Sequence, residues 1–236
     1  MRPLTDQTPK PLLAVRGKPL MQWAMESLQR GGVTDLVINT AWLGEQIPAR
    51  FGETFELLDQ DPTRQNPMRL HYSQEGVDFG GALETAGGIV RALPALADVF
   101  WVAAGDVYAP DFVFSADARA RFEASTALAH LWLVPNPPHN PAGDFGLSSQ
   151  GWALNLAAAR AEPRYTFSTI ALYKRAFFES AWCDIPPGNP QGVKTALAPM
   201  LRAAMDLGRV SASLYEGAWT DVGTPERLAQ LNQTGS

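Results

Sequence analysis

The sequence predicts an α/β protein: a doubly wound, mostly parallel sheet with a smaller, mixed β extension in its second half. Three observations predict it. Apolar segments such as "DLVINTA" and "VFWVAAGD" are the length of buried strands and rich in aliphatic residues. Stretches of helical spacing alternate with them through the first half, as in parallel strands linked by helices. From "ALAHLWLVP" onward the order becomes strand, proline-rich loop, hairpin and strand, which a purely parallel sheet does not use.

The elements follow in order. In "LMQWAMESLQRGG", residues Leu20, Met21, Ala24, Met25 and Leu28 share one helix face. Pro19 suits the first turn, and Gly31 and Gly32 end the helix. "DLVINTA" is a buried strand, and "LGEQIPARF" is a poor helix interrupted by Pro48. "MRLHYSQE" sets Met68, Leu70 and Tyr72 against Arg69, His71 and Ser73, the alternation of a half-buried strand. "ETAGGIVRALPAL" is a helix opened by Thr85, and "VFWVAAGD" is a strand ending at Gly105 and Asp106. "NPPHNPAG" is loop, and "DFGLSSQGWALNL" is a hairpin turning at Ser149–Gly151. "RYTFSTIALYK" is a strand followed by a short helix through Phe177 and Phe178. "KTALAPMLRAAMDLG" carries Leu197, Leu201, Ala204 and Met205 on one side of a helix. "RVSASLYEGAWTDVG" is extended, and "TPERLAQLNQ" closes the chain as a helix.

The chain of 236 residues suits one domain spanning 1–236. A net charge of −5 argues against sequence-independent nucleic-acid binding, which needs a basic face. No apolar run approaches the ~20 residues of a membrane span, and no secretory leader is expected. Cys183 is the only cysteine, so no intramolecular disulfide forms, and the pattern fits a reducing cytoplasm. It reads as a packed thiol. His71, His130 and His139 lack zinc spacing.

Three places carry candidate chemistry. Lys10 lies between Pro9 and Pro11 near Arg2. Prolines restrict the residues before them, which predicts an extended Lys10; its ammonium is either aimed at an anion or solvated on a proline-rich N-terminal arm. Asp106 ends an apolar strand, and Asp221 in "WTDVG" follows an extended run. Ligands bind beyond the carboxyl ends of strands in open sheets, and two carboxylates there can share a magnesium ion with substrate phosphates. The plainer readings are a turn at Asp106 and a helix cap at Asp221.

Together, "MRPLTDQTPKPLLAVRGKPLMQWAMESLQRGGV", "LETAGGI", "AAGDVY" and "WTDVGTPERL" resemble the sugar-1-phosphate nucleotidyltransferases along the whole chain. The phrases "INTAWLGEQI", "DFGL", "YTFS" and "LAPMLRAAM" narrow the likeness to the branch that uridylylates an amino-sugar acid 1-phosphate during peptidoglycan recycling. The resemblance implies a Rossmann-like sheet with a sugar-binding extension, and Mg2+ as cofactor. Its implied partners are a nucleoside triphosphate, UTP favoured, and a sugar 1-phosphate, with neither nucleic acid nor membrane. The protein would be a monomer or small homo-oligomer in the cytoplasm.

The resemblance also assigns residues. Arg2, Lys10 and Asp106 would be catalytic, and Asp106 and Asp221 would hold magnesium. Lys10, Glu75, Thr85, Gly87 and Asp106 would bind the nucleotide. Gln74 and Glu75 lie where relatives touch the base, although "VDFGGA" is a long spacer before "LETAGG". Gly87 and Gly88 permit close backbone approach to a ring or a tight packing contact. Asp144, Gly146 and Ser168 would face the sugar, and Lys194 would be a solvated lysine or a contact to a lactyl carboxylate or a phosphate.

Relatives carry a first strand, a glycine-rich loop and an arginine ahead of the position of Met1, about a dozen residues. The expectation is therefore a domain lacking its first strand and phosphate loop, with a functional protein that begins upstream of Met1. Two alternatives stand beside uridylyl transfer: guanylyl or thymidylyl transfer to a hexose or heptose 1-phosphate, and a catalytically silent nucleotide-sugar-binding protein.

Overall fold

The computed structural model describes residues 1–57, 67–157 and 163–233. The chain opens with two 3-10 turns, Leu4–Asp6 and Lys10–Leu12. A hairpin of β1 (Ala14–Val15) and β2 (Lys18–Pro19) follows, turned by Arg16 and Gly17. Both turn residues have positive φ, which matches the twist of a two-residue hairpin loop. Next come α1 (Leu20–Arg30), β3 (Asp35–Thr40), α2 (Gln46–Phe51), β4 (Thr54–Phe55), β5 (Met68–Gln74) and α3 (Glu75–Phe79). The middle of the chain holds α4 (Glu84–Ala92), β6 (Val99–Ala103), β7 (Val107–Tyr108), α5 (Ala116–Ala124) and β8 (Ala129–Val134). The last part holds β9 (Phe145–Leu147), β10 (Ala153–Leu154), β11 (Arg164–Lys174), α6 (Leu197–Asp206), β12 (Val210–Leu214), β13 (Thr220–Asp221) and α7 (Pro225–Gln233).

These elements form two compact units. One comprises Met1–Leu83, Ala104–Ala116 and Ala218–Ser236; the other comprises Glu84–Ala103 and Asp117–Gly217.

In the first unit, β3 runs parallel to β5, and β4 pairs antiparallel on the other side of β5. Met21 and Met25 of α1 pack on Ile38, Ile47, Phe55, Met68 and Leu70. Gly31, the residue after α1, has no room for a side chain, since a β-carbon there would stand 2.3 Å from the Phe114 carbonyl oxygen. A second small core joins Leu13, Val15, Leu20, Tyr108, Val222 and Leu228. It anchors the antiparallel ribbon β7–β13, in which Thr220 opposes Tyr108 and Asp221 opposes Val107.

In the second unit, six strands lie in the order β10-β9-β11-β8-β12, with β6 also on β11. β11 is antiparallel to β6, β8 and β9, whereas β8 and β12 are parallel. Leu131, Leu133, Ala171 and Tyr173 of the sheet pack against Ile89, Val90, Leu201 and Met205 of α4 and α6, with Phe177, Phe178 and Cys183. Burial pushes the Tyr173 hydroxyl's pKa up.

The α/β class and the mixed extension are as the sequence predicts. Parallel pairing is confined, among the described strands, to β3–β5 and β8–β12. The long β11 makes the second sheet mainly antiparallel, a relation that apolar runs cannot report. α4 begins at Glu84, one residue before the expected Thr85, and Lys10 lies in a 3-10 turn rather than an extended segment. α5 has no apolar stripe and buries only Phe122, which is why no period reveals it. Among the described residues, no helix is long and apolar enough to cross a membrane.

Candidate active site

Lys10 is placed by its two prolines acting through a turn. Pro9 is extended at ψ 140°, the Leu12 N–H donates to Pro9 O at 2.8 Å, and the Leu13 N–H donates to Lys10 O at 3.1 Å. Pro11 then lies over Gly105, where a β-carbon would stand only 3.2 Å from Pro11 Cγ. That contact sets Lys10 beside the residue after Gly105, and Lys10 Nζ donates to the Asp106 carboxylate.

Asp221 stands on the neighbouring strand. The Val222 N–H donates to Asp106 O at 2.9 Å, so the two aspartates end adjacent strands of one ribbon. The Asp221 carboxylate accepts from Arg227 Nη1 at 2.7 Å. Gly223 makes this possible, because a β-carbon there would stand 2.1 Å from Arg227 Nη2. The Thr224 hydroxyl accepts the Arg227 N–H at 3.3 Å and caps α7. The cap therefore comes from Thr224 and not from Asp221.

The other residues expected on the nucleotide side have the following surroundings. Arg2 pairs with Asp6 at 3.2 Å and its side chain is 82% exposed, so it does not join Lys10. Glu75 is buried, and its carboxylate accepts the Leu83 N–H at 2.8 Å, closing the segment between them. Its neighbour Gly76 abuts Ala41, whose carbonyl oxygen would lie 2.3 Å from an added β-carbon. Gln74 is exposed.

In the second unit, Thr85 and Lys194 are exposed, and Gly87 is buried. The Ala86 and Gly87 N–H groups both donate to Thr195 O, and Gly87 O accepts from the buried Asn189 side chain at 3.1 Å. Gly88 is buried beside Gly87. Asp144 accepts the Phe167 N–H at 2.8 Å and the Asn140 side-chain N–H at 3.3 Å. Gly146 is filled against, since a β-carbon would stand 2.4 Å from Leu156 Cδ1. Ser168 is fully buried; its hydroxyl donates to Trp132 O at 2.6 Å and accepts the Ile170 N–H at 3.1 Å.

Sequence reasoning missed two residues. Arg227 answers Asp221 from the first turn of α7, and the signal was the "GTPER" string, a glycine and a cap followed by a cation. Thr169 sits at φ +63° within β11, with no signal at all, because a threonine in a strand pattern is ordinary.

Chemically, the Lys10, Asp106, Asp221 and Arg227 group offers two carboxylates and two cations at the end of one ribbon. Among the described residues, no group of three or more His, Cys, Asp or Glu side chains is placed to hold a metal. Asp106 and Asp221 bear hard oxygen donors, the type that magnesium takes, and each carboxylate is paired with a cation, Lys10 or Arg227.

The chain belongs to the nucleotidyl transferase family, whose model matches residues 1–235. It is 41% identical to the N-acetylmuramate alpha-1-phosphate uridylyltransferase of Neisseria meningitidis serogroup B, over 98% of this chain and 90% of that protein. A protein of the same name from Caulobacter vibrioides is 28% identical, over 96% of this chain and 88% of its own. Among solved structures, HddC of Yersinia pseudotuberculosis complexed with GMP-PN is similar in fold, with a TM-score of 0.67 and 18% identity over 97% of this chain and 91% of that one.

Proposed function

We propose that this protein transfers a uridylyl group from UTP to N-acetylmuramate α-1-phosphate, giving the UDP-sugar and pyrophosphate. The observation that carries the reading is the 41% identity to the Neisseria enzyme across nearly its whole length. The reading puts the chain in the cytoplasm, in the recycling of peptidoglycan sugars.

In the reaction, an oxygen of the sugar 1-phosphate forms a bond to the α-phosphorus of UTP. The bond from that phosphorus to the oxygen bridging the β-phosphate breaks, and pyrophosphate leaves with the electron pair. Both reactants are anions, so the protein's work is to hold them in line and offset their repulsion. Lys10 would transfer its donated hydrogen bonds from Asp106 to phosphate oxygens. Asp106 and Asp221 would hold magnesium, which supplies Lewis-acid charge at the α-phosphate when bound. Arg227 would orient Asp221 through the 2.7 Å ion pair.

The test is pyrophosphate release from UTP, CTP, GTP and dTTP crossed with several sugar 1-phosphates in magnesium. UTP with N-acetylmuramate α-1-phosphate should be the best pair. A preference for GTP or dTTP, or for an unsubstituted hexose phosphate, would move the assignment to another branch. Nucleotide binding without turnover would make it a binding protein.

A further inference from the structure

The last turn of α7 is fastened to the hairpin that follows the Lys10 turn. Asn232 Oδ1 accepts the Arg16 N–H at 2.7 Å, and Asn232 Nδ2 donates to Ala14 O at 3.1 Å. One side-chain amide thus serves the two backbone groups that flank Val15 on the outer edge of β1. A residue of a parallel neighbouring strand would serve the same pair. Within the hairpin Ala14 faces Pro19, which has no N–H to donate. Arg16 adds a third bond, its Nε donating to Leu231 O at 3.3 Å, at the helix end where carbonyls lack partners and a cation is favoured. These bonds join residues 215 to 218 positions apart in the chain.

Exposed hydrogen bonds contribute little to stability, because water replaces them. Their effect here is on position. The first turn of α7 sends Arg227 to Asp221, and Leu228 packs with Leu13, Val15, Tyr108 and Val222. The last turn holds Ala14 and Arg16. Between Ala14 and Lys10 lies one closed turn, in which the Leu13 N–H donates to Lys10 O at 3.1 Å. Leu13 O in turn accepts the Leu20 N–H at 2.9 Å, fixing the turn to the start of α1. The clasp therefore sets where the hairpin rests on α7 and, through Leu13, where the Lys10 ammonium meets Asp106. All of these residues belong to one compact unit. We propose that Asn232 is a positioning residue for phosphate transfer, its amide clasping the hairpin to α7 and so holding Lys10 against Asp106 beside the Arg227-held Asp221. The part played by Lys10 rests on the proposed function; the clasp adds to it a residue outside the charged group.

The experiment places Asn232→Leu and Asn232→Ala in the wild-type chain and in Lys10→Met. It reads pyrophosphate release at saturating UTP, N-acetylmuramate α-1-phosphate and magnesium, with a thermal melt of each variant. In the wild-type chain Asn232→Leu should lower kcat by at least about 10-fold, the scale of a misplaced reacting group. Its Tm should fall by no more than about 4 °C. In Lys10→Met the same change should alter kcat by less than about 2-fold, since no ammonium is left to place. Asn232→Asp keeps the acceptor for Arg16 but not the donor for Ala14, and its kcat should fall between wild type and Asn232→Leu. Asn232→Ala gives the reading should the leucine variant melt below the assay temperature. A merely structural clasp would lower kcat by the same factor in both backgrounds, and that result overturns the inference, as does an unchanged kcat in the leucine and alanine variants. A wild type that releases no pyrophosphate from this pair overturns the proposed function, and this inference with it.

Discussion

Lys10 and Asp106, 96 residues apart in the chain, form an ion pair at the end of the β7–β13 ribbon. Pro11 packed on Gly105 brings them together. The side chains are 27% and 37% exposed, so the pair is half in solvent and contributes little to stability. Replacing Lys10 with Met or Asp106 with Asn should therefore leave Tm within about 3 °C of wild type. Either change should lower kcat by at least ~10²-fold, the scale of losing a group that offsets transition-state charge. Differential scanning calorimetry beside pyrophosphate release checks this, and activity retained with lowered Tm would assign the pair to the fold.

Arg227 reaches Asp221 across Gly223. Gly223→Ala drives a β-carbon into the guanidinium and should displace it, so this variant should behave like Arg227→Met. Both should need more magnesium for half-maximal rate, since Asp221 is no longer oriented. A magnesium titration of initial rate reads the shift, and identical half-saturation in wild type and both variants would reject the positioning role.

Glu75 is buried and accepts the Leu83 N–H. Glu75→Ala leaves that buried donor without its acceptor and should destabilise the protein by about 1–3 kcal/mol in urea. Gly76→Ala should destabilise it by a similar ~1–3 kcal/mol, because the clash is with the rigid Ala41 backbone. A raised KM for UTP in Glu75→Ala at unchanged stability would instead place this carboxylate at the base.

Burial pushes the His130 imidazole down to about 4, and the nearby Arg121 adds to it; Ser211 Oγ lies 2.8 Å from Nδ1. The unfolded value is 6.5, so between about pH 6.5 and 4 the unfolded chain binds the proton and the native one does not. Stability from this group is complete above pH 6.5 and is lost as pH falls toward 4, by about 3 kcal/mol. Urea midpoints at pH 7 and pH 4.5 should differ more in wild type than in His130→Gln. Equal differences would contradict the assignment.

Local pattern made much of this fold legible. The face of α6 comprising Leu197, Leu201, Ala204 and Met205 is buried as its spacing requires. β5 buries Met68 and Leu70 while exposing Arg69 and His71, and the alternation fails only at its end, where Ser73 is buried and Tyr72 is not. Periodicity reports which face of an element is apolar and says nothing of its neighbour, so the antiparallel course of β11 was not legible. The helix α5 lacked even a face.

For the site, the sequence by itself determined the residue types. Lys10, Asp106 and Asp221 stand in ordered motifs, and those motifs carry the family. What only the tertiary structure decided is what each side chain touches. Lys10 meets Asp106 because Pro11 fits Gly105, and Asp221 meets Arg227 because Gly223 leaves room. Ser168 and Asp144 brace a bulge of β11 in which Thr169 takes a positive φ. The reason is physical. These contacts join segments whose approach depends on packing at a single β-carbon, and a local pattern holds no record of which distant backbone will fill that space.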